Sequence, residues 1–302
     1  MDFLISATHI SAVYLIGVGF FVGILGGFFG VGGSFLAGPA LFAAGMPMNF
    51  VVGTDLSHIV GKSIVAAKKH RALGHVDTKL AMIMVIGTIA GVETGAQGIQ
   101  YLKSRGNVDT VVAMGFLVVL VSISAFMGWE SWRTMKAHKN LDEKPREDVS
   151  AFGHLAKRIQ RFHLPPMIGL PDSGIEQISV WIILMVAYVG GVFSGFLGGG
   201  AGYIRMPSIV FLLGVPTHIA VGTDLFEIII SAGYGAFTHA IKGNVDIMVA
   251  LVMHTGAAIG AQIGATMTER FHGRSIRLAF VPLPLIGAAM VVYSLLTGQN
   301  FK

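Results

Sequence analysis

The sequence predicts an all-α polytopic membrane protein made of two homologous repeats. Three observations predict it: the chain is short of charge, its apolar stretches reach bilayer length, and its halves match in register. Of 302 residues only 12% are charged and 53% are hydrophobic, with a mean hydropathy of +0.71. A soluble domain carries about a quarter charged residues, so most of this chain is expected to face lipid or a membrane-buried core. Glycine is abundant, at 41 residues. It costs roughly 1 kcal/mol against alanine in an aqueous helix, but in bilayers small residues let helix backbones approach closely. There is no cysteine, which excludes disulfides, thiolate metal sites and cysteine nucleophiles. The net charge of +5 lies in short segments between apolar stretches. That suits cytoplasmic membrane loops rather than a solvated basic domain, so no nucleic-acid partner is expected. Met1-Asp2-Phe3-Leu4 lacks the basic region of a cleavable signal peptide.

Taken in order, the apolar stretches run from about Ile10 to Gly33, Phe35 to Gly45, Leu56 to Ala67, Leu80 to Leu102 and Thr110 to Trp129. A polar segment, 130–176, divides this first membrane repeat (1–129) from a second (177–302). The second holds stretches from about Ile178 to Leu197, Tyr203 to Leu213, Leu225 to Ala240, Ile247 to Met267 and Ile276 to Leu296. A spanning helix needs about 20 apolar residues. Phe35 to Gly45 and Tyr203 to Leu213 fall short, so they are expected either to traverse as short helices or to re-enter. In the polar segment Phe152, Leu155, Ile159 and Phe162 share a helical face, with His154, Lys157, Arg158 and Arg161 elsewhere on the turn. This predicts a basic amphipathic helix on the cytoplasmic surface; a regulatory partner site is the other reading.

The repeat is explicit. Gly27-Phe28-Phe29-Gly30-Val31-Gly32 matches Gly195-Phe196-Leu197-Gly198-Gly199-Gly200 at an offset of 168, and Pro39 matches Pro207. One residue further on, at 169, Val52-Gly53-Thr54-Asp55-Leu56 matches Val221-Gly222-Thr223-Asp224-Leu225. His70, Gly74, Val76 and Asp77 then match His239, Gly243, Val245 and Asp246, and Gly91 and Gly95 match Gly260 and Gly264. Internal repeats of this kind are a common transporter architecture. Loop charges favour inversion: the Lys68-Lys69-Arg71 loop is basic while its counterpart from Lys242 to Asp246 is nearly neutral, and the Arg270-Arg274-Arg277 loop is rich where its counterpart holds only Lys103 and Arg105. Inversion needs an odd number of crossings per half. Repeats of four to five membrane helices are therefore expected, five if the short stretches traverse, with both termini outside.

The Gly-Phe-Phe-Gly-Val-Gly-Gly-Ser segment, its second copy, the proline of each short stretch and the duplicated Val-Gly-Thr-Asp-Leu resemble the TauE/SafE family of sulfite and organosulfur anion exporters. The resemblance covers both halves and leaves out the middle segment. It implies a bacterial inner-membrane, multi-pass carrier for small sulfur-containing anions such as sulfite, thiosulfate or C2 sulfonates, coupled to a proton or sodium ion.

The residues themselves suggest where such chemistry would sit. Gly30, Gly32, Gly33 and Ser34, with Gly198, Gly199 and Gly200, interrupt apolar stretches. Unwound backbone at membrane depth is tolerated where it is buried in protein or lines a cavity, and helix N-termini suit anions. An anion cradle from each half is one reading; close helix packing is the other. Thr54 and Thr223 precede Asp55 and Asp224, which either cap helices after Pro47 and Pro216 or form a protonatable site. Asp55, His58 and Lys62 share a helix face, and Glu227 and Ser231 occupy the positions equivalent to His58 and Lys62. Lys62 could instead snorkel toward the cytoplasm. Arg205, opposite Ala37 in the repeat, suits an oxyanion as it suits phosphate, or pairs with Asp55 or Glu227. Glu93 and His254 are interior and either relay protons or pack. Substrate contact is thus expected at the glycines, Ser34, Thr54, Thr223 and Arg205, and coupling or gating at Asp55, His58, Lys62, Glu93, Asp224 and Glu227. No cofactor and no metal is expected, and the scattered histidines argue against an intramembrane enzyme. A channel and a sensor signalling through the middle segment are the competing readings.

Overall fold

The computed structural model describes residues 2–3, 6–138, 153–162, 164–199 and 202–297. A small hairpin, β1 (Asp2–Phe3) and β2 (Thr8–His9), precedes α1 (Ala12–Phe29), the short α2 (Ser34–Ala43), and the long α3 (Met48–Ala72), α4 (Thr78–Arg105) and α5 (Val108–His138). After α6 (Gly153–Gln160) a second hairpin, β3 (Met167–Leu170) and β4 (Ile175–Ser179), leads into α7 (Val180–Leu197). The short α8 (Gly202–Ser208) runs on into a π-helical turn (Ile209–Leu213). Then come α9 (Thr217–Ile241), α10 (Ile247–Thr268), α11 (Gly273–Phe280) and α12 (Pro282–Thr297). Among the described residues eight helical segments are long and apolar enough to cross a bilayer, with α11 and α12 together forming one. The protein is an all-α polytopic membrane protein.

The clearest departure from the hydropathy reading is at α3 and α9. Apolarity alone starts them at Leu56 and Leu225, yet they begin at Met48 and Thr217, directly after Pro47 and Pro216. Proline presets a helix entry without needing its missing N–H. The opening turns hold buried Asn49, Thr54 and Asp55, or Thr217, Thr223 and Asp224, whose polarity masks them in a hydropathy profile. Likewise α5 continues past Trp129 to His138.

The halves are interlocked. Helix α1 beds against α10, and α7 against α4. Gly19, Gly23 and Gly27 on α1 meet the backbones of Met253, Ala257 and Ala261, while Gly256, Gly260 and Gly264 meet Ile16, Phe20 and Ile24. The equivalent contact repeats between Gly87, Gly91 and Gly95 of α4 and Leu184, Tyr188 and Val192 of α7. Spacing of four puts these glycines on one face, so backbones touch along the whole seam. Helices α2 and α12 also pack together, with Gly287 of α12 against the Phe35 carbonyl.

These contacts set directions. Along α1 and α10 the numbers rise together, so the two run parallel, as do α4 and α7. Helix α3 runs parallel to α10: the Asp246 N–H bonds Thr54, Gly61 meets the His254 ring, and Lys69 pairs with Glu269. Helices α3 and α9, equivalent in the repeat, run antiparallel: Leu56 packs near Gly235, while His70 packs near Gly222. His70 Nε2 donates to the Gly27 carbonyl at 3.0 Å, so the C-terminal ends of α1 and α3 lie together. Helix α2 therefore carries the chain back along their length. The matching bond joins His239 to Gly195, also at 3.0 Å.

The polar middle segment holds more than the expected amphipathic helix. Within α6, Lys157 and Arg158 are exposed while Ala156 is buried. Gln160 Nε2 donates to the Leu213 carbonyl at 2.8 Å, satisfying the end of the π turn. Phe152 lies outside the described residues. The unforeseen β3–β4 hairpin has a counterpart in β1–β2: Ser173 Oγ donates to Asp77 Oδ2 at 2.6 Å, and Ser6 Oγ donates to Asp246 Oδ2 at 2.7 Å.

Seam contacts this close leave no room for a side chain. Gly23→Ala, whose Cβ would run into the Ala257 backbone, is expected to destabilise by about 1–3 kcal/mol. Gly233→Ala, with nothing nearby to meet, is expected to be neutral or to stabilise by up to about 1 kcal/mol. Thermal unfolding in detergent compares them; equal midpoints for the two variants would contradict the seam.

Candidate functional site

The duplicated Val-Gly-Thr-Asp-Leu motif is the joint between the halves. Gly53 admits the Asn244 carbonyl and Gly222 admits the His75 carbonyl. One residue on, the Thr54 hydroxyl accepts the Asp246 N–H at 2.9 Å, and the Thr223 hydroxyl accepts the Asp77 N–H at 2.9 Å. Asp77 and Asp246 cap α4 and α10: Asp77 accepts from the Leu80 N–H, Asp246 from the Met248 and Val249 N–H groups. Each capping aspartate thus collects its own helix, a threonine of the other half and a hairpin serine. Sequence reasoning marked Asp77 and Asp246 only as matching positions. Thr54 and Thr223, expected at the substrate, have their hydroxyl oxygens engaged by the opposite half's backbone.

Asp55 and Asp224 are not caps. Both lie inside helices that begin at the preceding proline turns, and both are fully buried. Their surroundings differ. In the second half the Arg205 Nε donates to Asp224 Oδ1, and its Nη2 lies 2.6 Å from Glu227 Oε2. Ser231 Oγ donates to the same Glu227 oxygen at 3.1 Å. Arg205, Asp224 and Glu227 are all 0% exposed. Arg205 reaches them because α8 packs on both α7 and α9, its side chain lying along Gly190.

In the first half α3 supplies every member. His58 Nδ1 lies 3.0 Å from the Asp55 carbonyl oxygen and 3.1 Å from carboxylate Oδ1. The carbonyl is the hydrogen-bond acceptor, and the carboxylate oxygen lies beside it within ion-pair distance. With Nδ1 as donor, Nε2 accepts from the Lys62 ammonium at 3.0 Å. Lys62 is 2% exposed; it does not snorkel. Each aspartate therefore has a buried basic side chain in its cluster, Lys62 of α3 in one half and Arg205 of α8 in the other.

Several buried polar atoms here have no hydrogen-bond partner among the described residues: both Asp55 carboxylate oxygens, Arg205 Nη1, Asp224 Oδ2, Glu227 Oε1 and the Tyr203 hydroxyl. Burying such groups unpaired costs about 1–3 kcal/mol each. Tyr203 lies within electrostatic reach of Asp55 and was missed by the sequence reading, since one tyrosine in an apolar stretch carries no signal.

The glycine segments meet between the halves. Gly30 packs on the backbone of Val221 and Gly198 on that of Val52, at φ 75° and 83°. A left-handed φ combined with backbone contact is available only to glycine. Gly32 approaches the Gly199 carbonyl, Ile59 and Ile228, at the middle of α3 and α9. Gly33 and Ser34 open α2; Gly200 lies outside the described residues. Close packing of these glycines is what the arrangement shows: turns in the backbone that are tightly packed between the halves.

Glu93 stands apart. It accepts from Thr238 at 2.8 Å and Tyr234 at 3.1 Å and pairs with Lys242 at 3.0 Å, along α9 well past Glu227. The His254 ring packs over Gly61.

Apolar helices of bilayer length packed around a buried charged centre make this a polytopic membrane protein, and its relatives are probable membrane transporters. The chain belongs to the TauE/SafE sulfite exporter family, whose model matches residues 15–291. It is similar to two proteins of Bacillus subtilis (strain 168). One is probable membrane transporter protein YunE, 26% identical over 291 residues, covering 93% of this chain and 97% of the relative. The other is probable membrane transporter protein YjnA, 24% identical over 285 residues, covering 93% and 100%. Probable membrane transporter protein MJ0441 of Methanocaldococcus jannaschii is 23% identical over 280 residues, covering 87% and 89%. No solved structure matches the chain.

Removing one partner of a buried ion cluster leaves the others uncompensated. Arg205→Ala is expected to destabilise by about 3–5 kcal/mol, read as a lowered unfolding midpoint in detergent, while Arg205→Lys, which keeps the charge but not the planar fork, recovers only part of the loss. Wild-type stability of Arg205→Ala would show that the cluster is not held as described.

Proposed function

We propose that the protein is a secondary exporter of small sulfur-containing anions such as sulfite, thiosulfate or C2 sulfonates, working by alternating access between two inverted repeats in a bacterial inner membrane. The observation that carries the reading is a fully buried Arg205 in the charged cluster of the second half, with one guanidinium nitrogen lacking an acceptor among the described residues, in a chain of this family. A planar guanidinium suits a sulfur oxyanion as it suits phosphate. The glycine segments supply turns of backbone where the halves meet.

The inverted arrangement is supported by the antiparallel packing of α3 against α9: equivalent helices that cross a bilayer in opposite senses require it. The same directions place the basic ends of α3 and α10, with Lys69 and Arg270, on one side, as the positive-inside tendency asks. Lys103, at the opposite end, is bonded to Asn244 at 2.8 Å.

Coupling to protons follows from charge. Asp224 and Glu227 present two carboxylates to one guanidinium, and an uncompensated charge at membrane depth is expensive. An oxyanion that takes Arg205 displaces a carboxylate, which then holds a proton, so anion and proton move together, outward when the substrate gradient exceeds the opposing proton gradient. The Asp55–His58–Lys62 chain offers the first half a second place to hold or pass a proton.

Sulfite flux into proteoliposomes, with and without an imposed pH gradient, tests the reading. Gradient-driven accumulation is expected, and Glu227→Gln should reduce it at least tenfold while leaving counterflow exchange. Flux that only equilibrates would make the protein a uniporter or channel. Absence of sulfite, thiosulfate and sulfonate flux in folded, inserted protein would reject the substrate class.

A further inference from the structure

The two ends of the α3–α9 pair are closed by equivalent residues of different chemistry. At one end Asn49 Nδ2 donates to Asn244 Oδ1 at 3.1 Å. The repeat offset of 169 carries Asn49 onto His218 and Asn244 onto His75, and at the other end these two imidazoles face each other, ring centroids 5.2 Å apart at 45°. The supporting frame is the same at both ends. The Asn244 carbonyl rests on Gly53 and the His75 carbonyl on Gly222. The Asn244 N–H donates to the His239 carbonyl at 2.9 Å and the His75 N–H to the His70 carbonyl at 3.0 Å. The closing pair differs: two amides that cannot titrate, with Lys103 also donating to Asn244 Oδ1 at 2.8 Å, stand at one end and two imidazoles that can stand at the other.

We infer that the His75–His218 pair is a proton-operated latch, closed when both rings are neutral and released when both are charged, and that the Asn49–Asn244 pair is its pH-insensitive counterpart at the opposite end. Two imidazolium rings at this separation repel, and His is the side chain that makes this change near neutral pH. Both rings are half-buried, so protons reach them from solution. The surrounding charges are mixed. His70 lies 5.7 Å from His75; Lys69 pairs with Glu269 at 3.8 Å; Arg277 of α11 donates to Thr217 beside His218; and Asp77 follows His75 but is committed to its cap. His218 itself is tethered through Nε2 to the Phe271 carbonyl at 3.0 Å. Burial and then His218 pull the His75 imidazole below its ordinary value, with Glu269 opposing. The sign follows: the closed contact is at full strength above the ordinary histidine value and is lost as pH falls below it. In the topology proposed above, the latch lies at the cytoplasmic end. An acidified cytoplasm, in which sulfite takes up a proton, would then open the transporter toward its load.

The chain has no cysteine, so one introduced thiol reports on the opening. Ala66, buried on α3 one turn inside His70, becomes the probe as Ala66→Cys. Maleimide labelling is compared between this protein and the same protein carrying H75N and H218N, at matched pH, so that the thiol's own ionisation cancels in the ratio. The ratio is expected to be near one at pH 8 and to exceed five at pH 5.5. A ratio that stays near one across the range overturns the latch. H75N alone serves if the double variant is not monodisperse. The reverse exchange, N49H with N244H, should confer acid-sensitive labelling on a thiol at Ala232, on α9; no gain there would also overturn it. Neither measurement uses a substrate, so failure here leaves the sulfite reading standing, and failure of sulfite flux leaves the latch standing.

Discussion

Backbone contact along the glycine seams is the constraint on which the rest of the molecule depends. Lipid tails are as apolar as leucine side chains, so helices in a bilayer gain little by hiding apolar surface from them. What holds them is closeness of approach. Gly19, Gly23 and Gly27 against α10, and Gly87, Gly91 and Gly95 against α4, bring main chains into direct contact. Because each seam joins helices from different halves, neither repeat can complete its packing alone. The central joint, where Gly30 meets Val221 and Gly198 meets Val52, is positioned by those seams.

On this near-symmetric frame the polar groups divide into two kinds. One kind is duplicated faithfully and builds the frame: Thr54 and Thr223, Asp77 and Asp246, Ser6 and Ser173, His70 and His239 each make the same bond in both halves. The other kind is duplicated in place but not in chemistry. His58 stands where Glu227 stands, Lys62 where Ser231 does, Ala37 where Arg205 does, and the asparagine pair where the histidine pair does. Duplicated positions with divergent side chains are where a two-fold scaffold can act differently on its two sides.

Much of this was legible in the chain. The duplicated motifs located the joint residue by residue, and Arg205 stood out because an arginine in an apolar segment needs an anionic partner. The helix starts were less legible. Buried Thr54 and Asp55 depress hydropathy, so apolarity placed the beginning of α3 eight residues late and made Asp55 look like a cap. Tyr203 gave no sign at all, and Glu93 looked deeper than its partly exposed pairing with Lys242 proves to be. The β3–β4 hairpin was hidden in a segment whose composition reads as linker.

By itself the sequence determined the helical membrane class, the duplication and the family, because hydropathy and internal identity are properties of the linear chain. Only the tertiary structure decided which helices share seams across the halves, that α3 and α9 run antiparallel, that Arg205 serves Asp224 and Glu227 together, and that Lys62 turns inward to His58. Those choices depend on distances of a few ångströms between residues far apart in the chain, and no periodicity along the chain encodes them.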